Sequence, residues 1–99
     1  MIKLVALFKR PEDVESFNSH YDDTHAPLMR KVPGLERMEV TRNLRAFRGK
    51  PEFYLIAEMY FRDKGAFDAA MASEENRAAG KDLMSFARDY VTMVYGEVD

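Results

Sequence analysis

Two stretches of the chain are apolar at nearly every position, while elsewhere apolar residues recur at helix or strand spacing. Ile2 to Phe8 is interrupted only by Lys3, and Tyr54 to Phe61 only by Glu58 as a charged residue. Runs of this kind predict central strands covered on both faces. Leu35 to Thr41 alternates instead, which predicts a half-exposed strand at a sheet edge. Val91 to Val98 supplies a fourth strand. Arg10-Pro11-Glu12-Asp13 opens a helix, because proline loses nothing in a first turn and acidic residues suit the helix dipole there. From that start Val14, Phe17, Tyr21 and Leu28 fall within about 60° of arc, with Asn18 and His25 beside them. Pro27 is expected to end or kink this helix near Thr24 to Ala26, with Thr24 capping a short second turn.

Val32-Pro33-Gly34-Leu35 is a stop and a restart, and Arg42 to Phe53, aperiodic and containing Gly49 and Pro51, is a hairpin loop. Asp63 caps a helix carrying Phe67, Ala70 and Met71. Ser73 caps another with Ala79, Leu83 and Phe86 on one face. The order β-α-β-β-α-β is a split βαβ arrangement. It makes residues 1–99 one α+β, ferredoxin-like domain whose four-stranded antiparallel sheet carries helices on one face. Both long apolar strands are apolar in both alternating registers, so the other face needs a cover. With no spare segment to supply it, a homodimer packed through its sheet faces is expected.

Composition narrows the classes. At 46% hydrophobic and 32% charged residues the chain is of folded, globular type. It has no cysteine, which excludes a disulfide scaffold, a thiolate metal site and a cysteine nucleophile. Its net charge of −2 gives no general reason to seek nucleic acid. RNA-binding modules share this element order, but the third strand lacks their basic–glycine–aromatic stacking signature. No apolar run approaches the roughly 20 residues of a membrane span, and the N-terminal stretch reads as a strand rather than a signal peptide. A cytoplasmic protein that binds neither nucleic acid nor membrane is expected.

Among residues that could carry chemistry, His25 leads. It follows Tyr21 by four positions, on the inward side of the first helix and beside Pro27. An imidazole there suits general acid–base work, with Tyr21 to orient it or donate a proton; alternatively it caps the helix end and bonds a neighbouring carbonyl. His20, at the flank of the stripe, reads as a surface residue. A five-residue offset turns the two rings about 140° apart on an α-helix, so a two-histidine metal site is not expected. Glu58, inside an apolar strand, needs a partner or a raised pKa; it lines a cavity as acid or base or pairs with an arginine across the dimer, and pairing is the simpler reading. The tyrosines Tyr54, Tyr60, Tyr90 and Tyr95 read either as core or as the edge of an apolar pocket. Seven methionines suit an adaptable interior. Arg42, Arg45, Arg48 and Lys50 make a basic loop, solvated or anion-holding.

The motif Tyr21-(three residues)-His25-Ala26-Pro27-Leu28, followed by Val32-Pro33-Gly34-Leu35 after a Lys9-Arg10-Pro11 turn, resembles the ethyl tert-butyl ether degradation (EthD) family. The resemblance extends more loosely over the whole chain through length and element order. It implies the dimeric α+β barrel and raises His25 to the leading site residue. It also implies a small apolar substrate held between sheet and helices, often without metal or organic cofactor. We therefore expect His25 and Tyr21 as catalytic groups, Phe17, Leu28, Glu58 and Tyr60 as substrate contacts, and no metal and no cofactor. The function expected is acid–base or oxidoreductase chemistry on a hydrophobic, oxygen-bearing molecule in catabolism or secondary metabolism. The alternative is a non-catalytic ligand-binding or accessory protein of a degradation pathway.

Overall fold

The four strands form one antiparallel sheet in the order β2-β3-β1-β4, seen in a computed structural model that describes all residues from Met1 to Asp99. The two apolar runs, β1 (Ile2–Phe8) and β3 (Leu55–Phe61), are the central strands. The alternating segment β2 (Leu35–Arg42) and the last strand β4 (Val91–Glu97) are the edges. In register, Leu4 stands opposite Met59 and Tyr95, and Ala6 opposite Ala57 and Met93. Strand alternation then places Leu4, Ala6, Phe8, Ala57 and Met59 together beneath the helices, all buried.

The helical layer is α1 (Val14–His20), a π-helical turn (Tyr21–His25), α2 (Ala26–Arg30), α3 (Lys64–Met71) and α4 (Glu74–Ala87). Asp13, Asp63 and Ser73 cap α1, α3 and α4, accepting from the backbone N–H of Ser16, Ala66 and Asn76. Gly34 takes φ of 82° where the chain turns from α2 into β2, a conformation that strains any residue with a Cβ.

Pro27 does not end the first helix. The chain widens into the π turn, in which the N–H of Ala26 bonds to the carbonyl of Tyr21, five residues back. Pro27 then falls in the first turn of α2, where its fixed φ suits the helix. Thr24 lies inside the π turn, and α2 begins without a side-chain cap. One residue is thereby inserted into the helical count. Met29, not Leu28, comes round to the stripe of Phe17 and Tyr21, and Met29 is the buried one of the pair.

On the far face of the sheet, Lys3 Nζ meets Glu58 Oε2 at 3.0 Å, and Tyr60 donates to Glu39 Oε1 at 3.0 Å. The Arg37 guanidinium lies 4.2 Å from the centre of the Tyr60 ring. Val5, Leu7 and Ile56 sit among these groups, each half-buried. No helix is long and apolar enough to cross a membrane.

Candidate functional site

Between the sheet and the helices lies a cavity of about 280 Å³. Its floor is Leu4, Ala6 and Phe8 of β1, Ala57 and Met59 of β3, and Met93 of β4. Its roof is Tyr21, His25 and Met29, while Met71, Asn76, Ala79, Gly80 and Leu83 form the wall. The half-exposed Asn76 and Gly80 and the exposed Met93 mark its mouth. A Cβ on Gly80 would meet nothing within 4 Å, so α4 carries a helix-weakening residue next to open space. Four of the chain's methionines line the cavity, giving it an adaptable, polarisable surface.

The π turn sets the polar groups of the roof. His25 is the only polar or charged residue among the buried ones, and its Nδ1 lies 3.1 Å from Oδ2 of Asp82 on α4. A carboxylate accepts, so Nδ1 carries the hydrogen and Nε2 keeps a free lone pair. Nε2 has no protein partner, yet no fully buried side-chain nitrogen or oxygen is left unpaired. Nε2 therefore opens on the cavity that His25 lines. Burial holds the His25 pKa below its ordinary 6.5, against the opposing pull of Asp82. The ring is consequently a neutral base at pH 7. Tyr21, 5.5 Å from His25 between ring centres, is pushed up to about 12, again by burial first. Its hydroxyl also lacks a protein partner and stays protonated, a hydrogen-bond donor at the cavity edge.

The same carboxylate serves His20, whose Nε2 lies 2.8 Å from Oδ1 of Asp82. The 140° separation expected on an α-helix does not hold, because the π turn inserts one residue between the rings. Their five-residue offset then acts as a four-residue one, and both rings face α4. No group of three or more His, Asp or Glu side chains is arranged to hold a metal ion.

The expected substrate contacts fare differently. Alternation that turns Ala57 and Met59 to the helices turns Glu58 and Tyr60 to the opposite face, so neither reaches the cavity. Glu58 is paired, but with Lys3 of its own chain. Leu28 is carried off the stripe by the π turn and borders a shallow hollow with Lys31 and Glu75. Phe17 is buried in an aromatic cluster behind the roof, 5.4 Å from Phe8 and 5.5 Å from Phe86. It supports Tyr21 without lining the cavity. In the basic loop, Arg42 pairs with Asp22, while Arg45 and Lys50 border a separate hollow with Arg10 and Tyr54.

Asp82 and Asn76 were not anticipated. A signal existed: Asp82 stands three residues after Ala79 and four before Phe86, and Asn76 three before Ala79, on the same helical stripe. Polar residues at stripe spacing are the ones a helix turns inward.

The EthD domain family model matches residues 9–89, a span that holds both histidines and Asp82. A Rhodococcus erythropolis protein, called the uncharacterized 11.0 kDa protein in the thcB-thcC intergenic region, is 30% identical over 95 residues. That match covers 96% of this chain and 92% of that protein. The crystal structure of an ethyl tert-butyl ether degradation family protein from Bacillus halodurans superimposes with a TM-score of 0.96 at 46% identity, covering 100% of this chain and 99% of that one. Two more distant structures share the fold alone. SnoaB, a cofactor-independent oxygenase from Streptomyces nogalater, gives a TM-score of 0.61 at 21% identity, over 96% of this chain and 87% of that one. A dimeric ferredoxin-like protein from Thermobifida fusca gives 0.72 at 15% identity, over 98% and 90%.

Proposed function

This chain belongs to the EthD domain family, and on that footing we propose that it takes a small apolar, oxygen-bearing molecule into its cavity and moves a proton on it with His25. One observation carries the reading: a neutral imidazole, oriented from behind by a carboxylate, presents its free nitrogen to a mostly apolar cavity. An orienting acceptor on one ring nitrogen fixes the tautomer that leaves the other nitrogen basic. The Tyr21 hydroxyl is placed to donate to the ligand's oxygen, where negative charge collects as the proton leaves. A cavity of about 150 Å³ in another protein accommodates benzene, so 280 Å³ suits a molecule of one to two rings. Removal of a proton from a phenol, or from carbon beside a carbonyl, is the step these groups serve. Such a step opens isomerisation, elimination and cofactor-independent oxygenation alike, and the oxygenase SnoaB shares this fold. The working form we propose is a homodimer, as the dimeric ferredoxin-like proteins of this fold are, and we place its contact on the outer sheet face.

2-Naphthol, a two-ring oxygen-bearing probe, tests the cavity by NMR. It should shift the ring signals of His25 and Tyr21, and Gly80→Leu, which fills the open space beside α4, should abolish those shifts. Shifts that survive the filling would move binding elsewhere and sink the reading. Catalysis is separated from carriage by His25→Ala, assayed on whatever molecule native mass spectrometry finds retained by the protein. Loss of turnover by about 10²–10⁴-fold with binding kept identifies an acid–base group. Unchanged behaviour identifies a binding or accessory protein.

A further inference from the structure

We propose that His20 is a positioning residue of this site: by holding one oxygen of Asp82 it sets the other against Nδ1 of His25, and the two rings compete for one negative charge. The two bonds, 2.8 Å and 3.1 Å, occupy different oxygens of a single carboxylate, so Asp82 cannot turn toward one ring without leaving the other. Both rings also pack on Phe86, at 4.3 Å and 5.3 Å between centres. Phe86 and Asp82 stand four residues apart on α4, so one helical face fixes the slab and the carboxylate together. The exposures run in order from outside to inside: 34% for the His20 side chain, 13% for Asp82 and 6% for His25. His20 is thus the member that meets bulk water, and His25 the member that meets the cavity.

One carboxylate holds one unit of charge. When His20 carries a proton, it neutralises Asp82, and a proton on His25 loses its counter-ion. When His20 is neutral, Asp82 supports the imidazolium that His25 becomes on taking a proton. The surrounding charged groups leave this arrangement intact. Asp13 and Tyr90 border the hollow outside His20. Tyr21 lies beside His25, with Arg30, Arg42 and Asp22 around Tyr21. None of them makes a hydrogen bond or ion pair with either ring or with Asp82. The consequence for catalysis rests on reading His25 as the acid–base group, but the sharing of charge does not.

The test uses the whole protein and needs no ligand: the His25 ring is titrated by NMR in the native chain, His20→Gln and His20→Lys. Glutamine keeps a donor for Asp82 but removes the charge, so the His25 midpoint should rise by about half to one pH unit. Lysine fixes the charge, so the midpoint should stay at the native value or fall. A merely structural contact would move both variants the same way or neither, and either result overturns the proposal. A single-site His25 curve in the native protein, superimposable on that of His20→Gln, does so without relying on lysine. Failure of 2-naphthol to bind would count against the proposed function and leave this titration untouched.

Discussion

His25 concentrates the site's proposed chemistry and its cost in one residue. Its pKa in the folded chain is held below 6.5, chiefly by burial. Folded protein therefore binds fewer protons at this ring than unfolded chain does. The sign follows directly: stability is fully present above about pH 6.5 and is lost as pH falls from there through the folded value. Urea unfolding at pH 7.5 and 5.5 should show that loss, and His25→Gln should flatten it. An equal loss in the variant would assign the pH dependence to other groups. Tyr21 sits on the other side of the acid–base line. Neutral throughout this range, it should lose only hydrogen bonding in Tyr21→Phe, giving on the order of tenfold slower turnover with folding stability little changed. At this scale the sequence showed His25 and Tyr21, since an imidazole and a phenol at inward spacing are visible in one helix. It did not point to Asp82, because the partner lies 57 residues away and only packing of α4 brings it in.

The π turn is the element whose geometry decides the rest. Rules for proline in a helix foresee a break, and they are right that Asp23 cannot receive an ordinary bond from residue 27. The chain meets that restriction by widening one turn, because continued packing of α2 on α4 keeps both segments helical. Pro11, expected in the first helical turn, lies ahead of the Asp13 cap. Central and edge strands and the caps Asp63 and Ser73 were legible from period and capping residues, each a local signal. The widened turn was not, since local rules do not weigh the tertiary contacts that sustain it. A pair of substitutions checks the consequence for register. Met29→Ala should destabilise by about 2 kcal/mol or more, as expected for a buried methionine. Leu28→Ala should cost about half of that or less, the reverse of the order a regular α-helix gives. Removing the cap with Ser73→Ala should cost about 1 kcal/mol and loosen the helix that carries Asp82. All three are read from denaturant midpoints.

At the scale of the whole molecule, one sheet does two jobs with its two faces. The face beneath the helices builds the cavity. Glu58 and Tyr60, placed by strand alternation on the other, belong to the surface through which we propose the dimer forms. Sedimentation at micromolar concentration should find that dimer, and Ile56→Asp, which puts a charge in the middle of the face, should yield monomer. A native monomer would overturn the assembly while leaving the cavity and its histidines in place. The ions of this face are already matched within each chain: Lys3 with Glu58, and Arg37 beside Glu39. A copy arriving at this surface therefore meets no uncompensated charge, and its approach is neither steered nor opposed over a distance. Dimer affinity should change little between about 0.05 M and about 0.5 M salt, a range over which electrostatic range shrinks severalfold. Shape alone then selects the partner, and assembly should persist through changes in ionic strength that dissociate charge-matched complexes.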